Sequence, residues 1–385
     1  MLDVLHVTES LSQGGAEQNL LSILSRLPRD RYRNHLAWLY PTQDLLDSFR
    51  PAVASLVPLG AAGRSELGGA TMTLWRWLRV NKPDVVHVQL LSAQLVARVA
   101  AMCAGHVPVI TTWQNTAHSE RSISDFGSPL RRQVVRWLDA MTGRYDAHFI
   151  AVSDHVAQHC AGQLGIARDR VSVIHNCVEP CRYEPIPLEE IARTRAALDI
   201  ADEDRPIIAV GRLIDQKAHT QLLAAMPAIL RRVPRAVLLI AGGGPLAAEL
   251  RARASALSLG DRVRILGRRN DVPTLLAIAE LFAFPSLYEG LSVALVEALS
   301  TGLPAVVSDI PQNREVADGL PSVRFVARGD VELLASAIAD TLDDRAALRE
   351  HAMAARADLR ARFSPELLAR RFSETIDEVV ARGRH

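Results

Sequence analysis

Short apolar runs alternate along the whole chain with longer segments of amphipathic pattern. In the first half, the apolar runs predict strands at residues 2–7, 35–39, 84–88, 107–111, 148–152 and 171–174. The segments between them resemble helices, such as residues 16–27, where Leu20, Leu24 and Leu27 share one face. Buried strands that alternate with amphipathic helices are typical of a parallel sheet covered on both faces.

The same pattern starts again after a proline-rich stretch that contains Pro180, Pro185 and Pro187. Further strands are predicted at residues 206–210, 236–241, 263–266, 281–284, 305–308 and 323–326. The sequence therefore predicts an α/β protein with two Rossmann-like, doubly wound parallel-sheet domains that face each other across a cleft, at residues 1–183 and 184–363. Ser364 and Pro365 predict the N-cap and first turn of a last helix.

Composition narrows the classes of function. The chain has 385 residues, of which 49% are hydrophobic, and a net charge of +1, so we expect no nucleic-acid partner. Four scattered cysteines favour a reducing compartment over a disulfide framework. Residues 1–7 read as a strand rather than a signal peptide, and no run reaches the roughly 18 apolar residues of a membrane span. We therefore expect a cytoplasmic protein.

The sequence predicts neither a metal nor a cofactor. His175, Cys177 and Cys181 lie close together, but no fourth ligand stands at a spacing typical of zinc sites. No Asp-x-Asp element is well placed to hold a metal–diphosphate complex. Cationic side chains are expected to take the place of that metal.

The strongest functional motif follows a predicted strand and covers residues 284–297. Glu289 and Glu297 bracket the start of a helix that Ser292 is predicted to cap. The backbone N–H groups at such a helix start, here at Gly290, Leu291 and Ser292, form a seat for a diphosphate. Glu289 can then reach a sugar hydroxyl and Glu297 a ribose diol. The plainer interpretation is an ordinary capped helix with an incidental glutamate.

Two cations follow the first strand of the second predicted domain. Arg212 offers a planar fork and Lys217 a point charge, which together suit two phosphates. The alternative is a pair of ordinary surface cations. Against that alternative, Lys82 and Lys217 are the only lysines of the chain, and this scarcity favours a role for the lysine at this position.

Glycine-rich turns follow two further predicted strands. Gly14 and Gly15 allow close backbone approach to a phosphate or sugar, and equally fit an ordinary turn. Residues 242–247 meet the loose dinucleotide pattern G-x-G-x-x-A, but no acidic residue ends the next strand. A tight turn at Gly242 that lines the cleft is therefore favoured over an NAD site. Asp271 follows the next turn, where the backbone can meet a nucleotide base.

Glu289 and Glu297, with Arg212 and Lys217, resemble the corresponding residues of retaining glycosyltransferases that have an E-x7-E motif and the GT-B fold (glycosyl transferases group 1). The resemblance covers nearly the whole chain and extends to residues 14–17, 84–87, 153, 176–179, 242–245 and 363–366. In this family the last helix usually crosses back to the first domain. The resemblance thus implies that residues 364–385 complete the first domain.

The resemblance also implies an activity: transfer of a hexose from a UDP or GDP sugar to a glycan or lipid-linked acceptor, without a metal and with retained anomeric configuration. Carried over to this chain, the resemblance implies that Arg212 and Lys217 bind the donor diphosphate, together with N–H groups near Leu291 and Ser292. Glu289 would contact the donor sugar and Glu297 the ribose. The turn at residues 14–15 would lie near the phosphate and the acceptor.

One position departs from the family pattern. Many members have a histidine facing the donor sugar where this chain has Gln114, which cannot titrate near pH 7. His118 lies nearby and is a candidate substitute, or a loop histidine on a polar surface. The departure keeps open a catalytically silent GT-B scaffold or partner subunit. A sugar-nucleotide epimerase of similar fold is a separate alternative.

A basic helix with an aromatic residue is predicted at residues 128–138. Arg131, Arg132, Arg136 and Trp137 suit contact with an anionic membrane surface. A solvated domain face explains the same pattern equally well.

Overall fold

The computed structural model describes residues 1–116 and 129–383, without the side chains of Pro129, Arg131 and Arg132. These residues form two compact units. Unit 1 comprises the described residues among 1–177 and 365–385, and unit 2 comprises residues 178–364. The chain thus changes units after Cys177 and again after Ser364, whereas the sequence predicted changes after residues 183 and 363.

Unit 1 is built on a parallel sheet whose strands lie in the order β3-β2-β1-β4-β5-β6-β7. Its strands are β1 Leu2–Thr8, β2 Tyr32–Trp38, β3 Ser55–Pro58, β4 Val85–Gln89, β5 Val109–Trp113, β6 His148–Ala151 and β7 Val171–Val173. Sequence patterning predicted all of these except β3. That strand lies at the sheet edge and is only half buried, so it has no run of buried apolar residues.

Unit 2 repeats the architecture with the strand order β10-β9-β8-β11-β12-β13, again all parallel. Its strands are β8 Arg205–Val210, β9 Ala236–Ala241, β10 Val263–Gly267, β11 Leu281–Phe284, β12 Ala305–Ser308 and β13 Val323–Val326. The predicted strands match these to within one residue, and four of them (β8, β9, β11 and β12) are short runs of mostly buried apolar side chains.

Helices cover the faces of both sheets. They are α1 Gly15–Arg26, α2 Leu46–Phe49, α3 Leu67–Asn81, α4 Leu91–Cys103, α5 Pro129–Gly143, α6 Asp154–Leu164, α7 Leu188–Ala197, α8 His219–Arg232, α9 Ala247–Ala256, α10 Val272–Ile278, α11 Val293–Ser300, α12 Pro311–Ala317, α13 Val331–Asp343, α14 Arg345–Arg362 and α15 Pro365–Gly383. In the part of the chain that the structure describes, none of them is both long enough and apolar enough to cross a bilayer.

The last helix belongs to the core of unit 1. Leu368, Phe372 and Ile376 of α15 are buried in one cluster with Val4 of β1 and Leu20 of α1. The apolar face of α15 therefore packs on the sheet beside α1, and unit 1 is assembled from both ends of the chain.

Each sheet reverses its strand order at one point, between β1 and β4 in unit 1 and between β8 and β11 in unit 2. Loops that leave the carboxyl ends of two such strands diverge and open a crevice, which is where open α/β sheets bind ligands. Most of the predicted site residues follow β1, β8 or β11 and so lie beside these two points.

Candidate functional site

An ion pair spans the reversal point of unit 2. Lys217 ends a short 3₁₀ turn after β8, and Glu289 lies in the loop after the neighbouring strand β11. The Lys217 Nζ lies 2.6 Å from Oε1 of Glu289, and only 15% and 6% of the two side chains are exposed. Gln216 also holds the loop that carries Glu289, because its Nε2 donates to the carbonyl oxygen of the preceding residue, Tyr288, over 2.8 Å.

The stem of Lys217 is held against backbone and aromatic surface. A Cβ at Gly211 would lie 3.3 Å from the Cδ and Cε of Lys217, so the absence of a side chain there makes room for the stem. The ammonium lies 4.9 Å from the centroid of the Phe284 ring. An ammonium has three N–H donors. Within the described residues, the Lys217 ammonium makes one hydrogen bond, to Glu289. Its other N–H donors remain available for a phosphate.

The loop that carries Arg212 rests on the glycine turn after β9. A Cβ at Gly242 would lie 1.8 Å from the carbonyl oxygen of Gly211, and one at Gly244 would lie 2.4 Å from that of Leu213. The Leu213 N–H also donates to the Gly243 carbonyl over 2.9 Å. These glycines therefore form a tight turn that packs directly against the backbone of the Arg212 loop. The Arg212 side chain is exposed and makes no ion pair with another described residue.

The second acid of the motif, Glu297, is ion-paired in a way that the sequence did not predict. Glu297 lies on α11, and its Oε1 accepts from Nε of Arg182 over 2.9 Å. The two side chains are largely buried, at 13% and 29% exposed. Arg182 is separated from Glu297 by 115 positions in sequence, so no local pattern could reveal the pair.

The predicted capping role of Ser292 is wrong. Ser292 occupies the N-cap position of α11, but its hydroxyl makes no hydrogen bond to the helix backbone. It donates instead to Oδ1 of Asn313 over 2.5 Å, and Asn313 in turn donates to the Ser308 carbonyl. The buried side chain of Asn313 provides an acceptor for the Ser292 hydroxyl, so that hydroxyl does not bond to the backbone of α11. The first turn of α11 is thus left without a Ser292 oxygen on its N–H groups, as an anion seat requires.

Two other predicted contacts of unit 2 are placed as follows. Gly290 and Leu291 are buried in the chain between Glu289 and Ser292. Asp271 stands just before α10, and both its oxygens accept from Arg269, over 2.8 and 2.5 Å. The Asp271 carboxylate is therefore engaged by a neighbour two residues away.

In unit 1, the glycine turn after β1 is closed by an acid of its own chain. A Cβ at Gly14 would lie 2.4 Å from Oε2 of Glu17, whereas Gly15 faces open space. The Glu17 carboxylate also accepts from the hydroxyls of Ser10 and Ser12. Burial raises the pKa of Glu17, and these hydrogen bonds oppose the rise. A side chain at position 14 would thus require the Glu17 carboxylate to shift.

Gln114 is fixed by other amides. Its Nε2 donates to Oε1 of Gln89 over 3.0 Å, and its Oε1 accepts from Nδ2 of Asn176 over 3.3 Å. Gln89 ends β4 and donates onward to the hydroxyl of Thr8 at the end of β1. This amide chain spans the reversal point of unit 1. It lines a cavity of about 20 Å³, a volume large enough for one water molecule.

Two buried histidines lie next to this cavity. The Nδ1 atoms of His6 and His87 are 3.1 Å apart, and His87 Nε2 is 2.8 Å from the hydroxyl of Thr112. Burial, followed by the charge of the other ring, lowers the pKa of His87 well below its ordinary value, and burial lowers that of His6 to about 4. Both rings are therefore neutral near pH 7. The sequence placed His87 in a strand but did not indicate the pair.

The structure thus groups the predicted residues by unit. Unit 2 holds Arg212, Lys217, Gly242, Asp271, Glu289, Gly290, Leu291, Ser292 and Glu297, and unit 1 holds Gly14, Gly15 and Gln114. His118 and Ser128 lie outside the described residues.

Two family models match this chain side by side. Residues 190–359 match glycosyl transferases group 1, and residues 13–182 match glycosyltransferase family 4. Between them they cover most of both units. The first match contains the Lys217–Glu289 pair, and the second contains the glycine turn and Gln114.

Curated relatives agree with these models. A UDP-Gal:alpha-D-GlcNAc-diphosphoundecaprenol alpha-1,3-galactosyltransferase of Escherichia coli is 28% identical over 71% of this chain and 70% of its own. A 2-deoxystreptamine glucosyltransferase of Streptomyces kanamyceticus is 26% identical over 90% of both chains.

A solved structure shares the fold over nearly the full length. Anabaena Alr3699/HepE, crystallised with UDP-glucose, superposes with a TM-score of 0.83 over 98% of this chain and 100% of its own, at 21% sequence identity. With two doubly wound parallel-sheet units and both family models in the expected order, the chain belongs to the glycosyl transferases group 1 family and has its GT-B fold.

Proposed function

We propose that this protein transfers a hexose from a UDP or GDP sugar to a glycan or lipid-linked acceptor, with retention of configuration and without a metal. The observation that carries the proposal is the largely buried Lys217–Glu289 pair at the reversal point of the unit 2 sheet. A buried cation with unused N–H donors, beside an exposed arginine on the same loop, suits a diphosphate.

In the proposed reaction, the bond between the anomeric carbon and the donor phosphate oxygen breaks, and a bond to the acceptor oxygen forms on the same face of the sugar. The acceptor proton passes to the leaving phosphate. Lys217 and Arg212 stabilise the negative charge that grows on that phosphate, which is the role a divalent metal has elsewhere. Glu289 orients the sugar through its hydroxyls, and Glu297 holds the ribose.

A direct test is an incubation of the protein with UDP-glucose, UDP-galactose, UDP-N-acetylglucosamine and GDP-mannose, with and without EDTA. The acceptors are short glycans and a polyprenyl-diphosphate sugar. We expect an α-linked product by NMR, formed at the same rate with chelator. Nucleotide binding without transfer to any acceptor would support the silent scaffold instead, and an epimerised donor formed without acceptor would support the epimerase.

For the lipid-linked acceptor, helix α5 provides support. Its inner face is fixed by Asp139, which pairs with the fully buried Arg98. Its outer face exposes an apolar stripe of Leu130, Val134 and Trp137 at helical spacing, continued by Met141. Arg136 and Arg144 are also exposed. An apolar stripe with an aromatic residue and flanking cations is typical of helices that lie on anionic membranes. The Escherichia coli relative also has a diphosphoundecaprenol acceptor in its name.

This part of the proposal can be tested by co-sedimentation with phosphatidylglycerol vesicles. Replacing Leu130, Val134 and Trp137 by serine should abolish most of the binding, because burial of each apolar side chain contributes on the order of 1.5–3 kcal/mol. Leu188→Ser, at an apolar residue of unit 2 that is exposed to the same degree or more, is the matched control. Equal sedimentation of the triple variant and the wild type would rule out this membrane surface.

A further inference from the structure

We propose that Arg182 is a positioning residue for ribose recognition: it holds the carboxylate of Glu297 so that the second carboxylate oxygen is presented to the ribose hydroxyls of the donor nucleotide. This inference rests on the proposed function, in which Glu297 binds that ribose. It adds a residue from the turn that opens unit 2, outside the E-x7-E motif.

The two carboxylate oxygens of Glu297 have different surroundings. Arg182 engages Oε1 of Glu297 through Nε over 2.9 Å. Within the described part of the chain, Oε2 has no hydrogen-bond partner. Glu297 lies on a helix whose neighbouring positions Leu295, Val296 and Ala298 are buried, and only 13% of its own side chain is exposed. A carboxylate at such a position is costly to keep charged unless a partner compensates it, and Arg182 is that partner.

The turn that carries Arg182 is anchored to α11 by an independent contact. Arg360 of α14 donates to the Tyr183 carbonyl over 3.1 Å and to the Ser300 carbonyl at the end of α11 over 2.7 Å. Its guanidinium also lies 4.3 Å from the centroid of the Tyr183 ring. Residues 180–183 are therefore held against α11 even without the ion pair. Arg182 can be changed without releasing the turn, and Arg360 serves as a control for the structural contact alone.

The arrangement restricts how Glu297 can rotate. A lone glutamate on a helix samples several rotamers, and fixing one before the ligand arrives removes an entropic cost of binding. Because Arg182 holds Oε1 of Glu297, the orientation of Oε2 is fixed. Oε2 can then accept hydrogen bonds from the 2′- and 3′-hydroxyls of a ribose, which a dideoxyribose lacks. Loss of Arg182 should therefore weaken the preference for ribose more than the affinity for the diphosphate, which Lys217 and Arg212 bind.

The experiment measures this preference by calorimetry. UDP, GDP and ADP are titrated into the wild type, and the nucleotide that binds is compared with its 2′,3′-dideoxy form. The ratio of the two affinities is then measured for Glu297→Gln, Arg182→Met, Arg182→Lys and Arg360→Met. Thermal unfolding of each variant reports any loss of structure.

For the wild type we expect a preference for the ribose form of roughly tenfold or more, since a hydrogen bond to a charged group is involved. Glu297→Gln should remove most of it, and Arg182→Met should reduce it by about fivefold or more, with Arg182→Lys in between because lysine restores a point charge. Arg360→Met should keep the wild-type ratio even if its melting temperature falls.

Two results would overturn the inference while the proposed function stands. One is a wild-type ratio in Arg182→Met when Glu297→Gln has lost it, and the other is an equal loss in Arg360→Met, which would make the role of Arg182 purely structural. Failure of the wild type to bind any of the three nucleotides would overturn both the inference and the proposed function.

Discussion

Replacement of Lys217 by methionine should separate phosphate binding from the rest of the site. Methionine keeps the length and the apolar stem that packs beside Gly211 but removes the ammonium. Glu289 would then remain in a largely buried position, where 6% of its side chain is exposed. Its remaining side-chain contact among the described residues would be with Nε2 of Gln216 at 3.4 Å.

The magnitude follows from two losses. A charged hydrogen bond to the donor phosphate contributes about 1.5–3 kcal/mol, so the dissociation constant of the nucleoside diphosphate should rise by roughly 10- to 150-fold. Removing one partner of a buried ion pair destabilises the fold by up to about 3 kcal/mol when part of the pair reaches solvent. For a unit of this size the melting temperature falls by about 2–4 °C per kcal/mol, so the expected fall is up to roughly 6–12 °C.

Calorimetric titration of UDP and GDP, with thermal unfolding in parallel, measures both effects. Lys82→Met is the matched control, since Lys82 is the other lysine of the chain and stands exposed at the end of α3. It should change neither quantity. Glu289→Gln provides the opposite expectation: it removes the charge that competes with a phosphate for Lys217, so diphosphate affinity is kept or rises while sugar transfer falls. Wild-type diphosphate affinity in Lys217→Met would refute the reasoning.

Three further outcomes are expected. Gly242→Ala should abolish nucleotide binding and destabilise unit 2, because the added Cβ would lie 1.8 Å from a carbonyl oxygen of the facing loop; calorimetry and thermal unfolding check both. Because burial lowers the pKa of His6 and of His219 to about 4 from 6.5, the unfolded chain binds protons that the folded one excludes below pH 6.5. The free energy of unfolding should thus fall as the pH falls from 6.5 to 4, by up to about 1.4 kcal/mol per unit for each histidine. Urea unfolding at pH 7 and 5 measures this, and His219→Gln should show a shallower dependence. Gln114→Ala removes the donor to Gln89 and should slow transfer by about tenfold while leaving diphosphate affinity unchanged; equal losses in kcat and affinity would contradict a role confined to the sugar.

Sequence patterning predicted the strands of both sheets well because each central strand is buried on both faces and appears as an apolar run. The half-buried edge strand β3 has no such run and was missed. The acids and cations of unit 2 were predicted as site residues because they follow strands, where ligands of this fold class bind. Lys217 was also marked by its rarity, since one other lysine occurs in the chain.

The partners of these residues could not be predicted in the same way. Arg182 reaches Glu297 across 115 positions, and Ser292 reaches Asn313 across 21, so both contacts depend on packing rather than on local pattern. A serine before a helix is the ordinary signal for a cap. At Ser292 a buried amide acceptor overrode that signal. The proximity of the Glu17 carboxylate to Gly14 was likewise not indicated by the glycine pair itself.

The placement of α15 has a consequence for how the protein is made. The segment after residue 364 supplies Leu368, Phe372 and Ile376 to a core that otherwise comes from the first 177 residues. On the ribosome, that core stays incomplete until α15 has been translated, while unit 2 is encoded without interruption before α15 and can fold earlier. We therefore infer that unit 1, whose translation begins first, completes its folding after unit 2, and that nascent chains stalled before α15 expose an unfinished apolar surface that attracts chaperones.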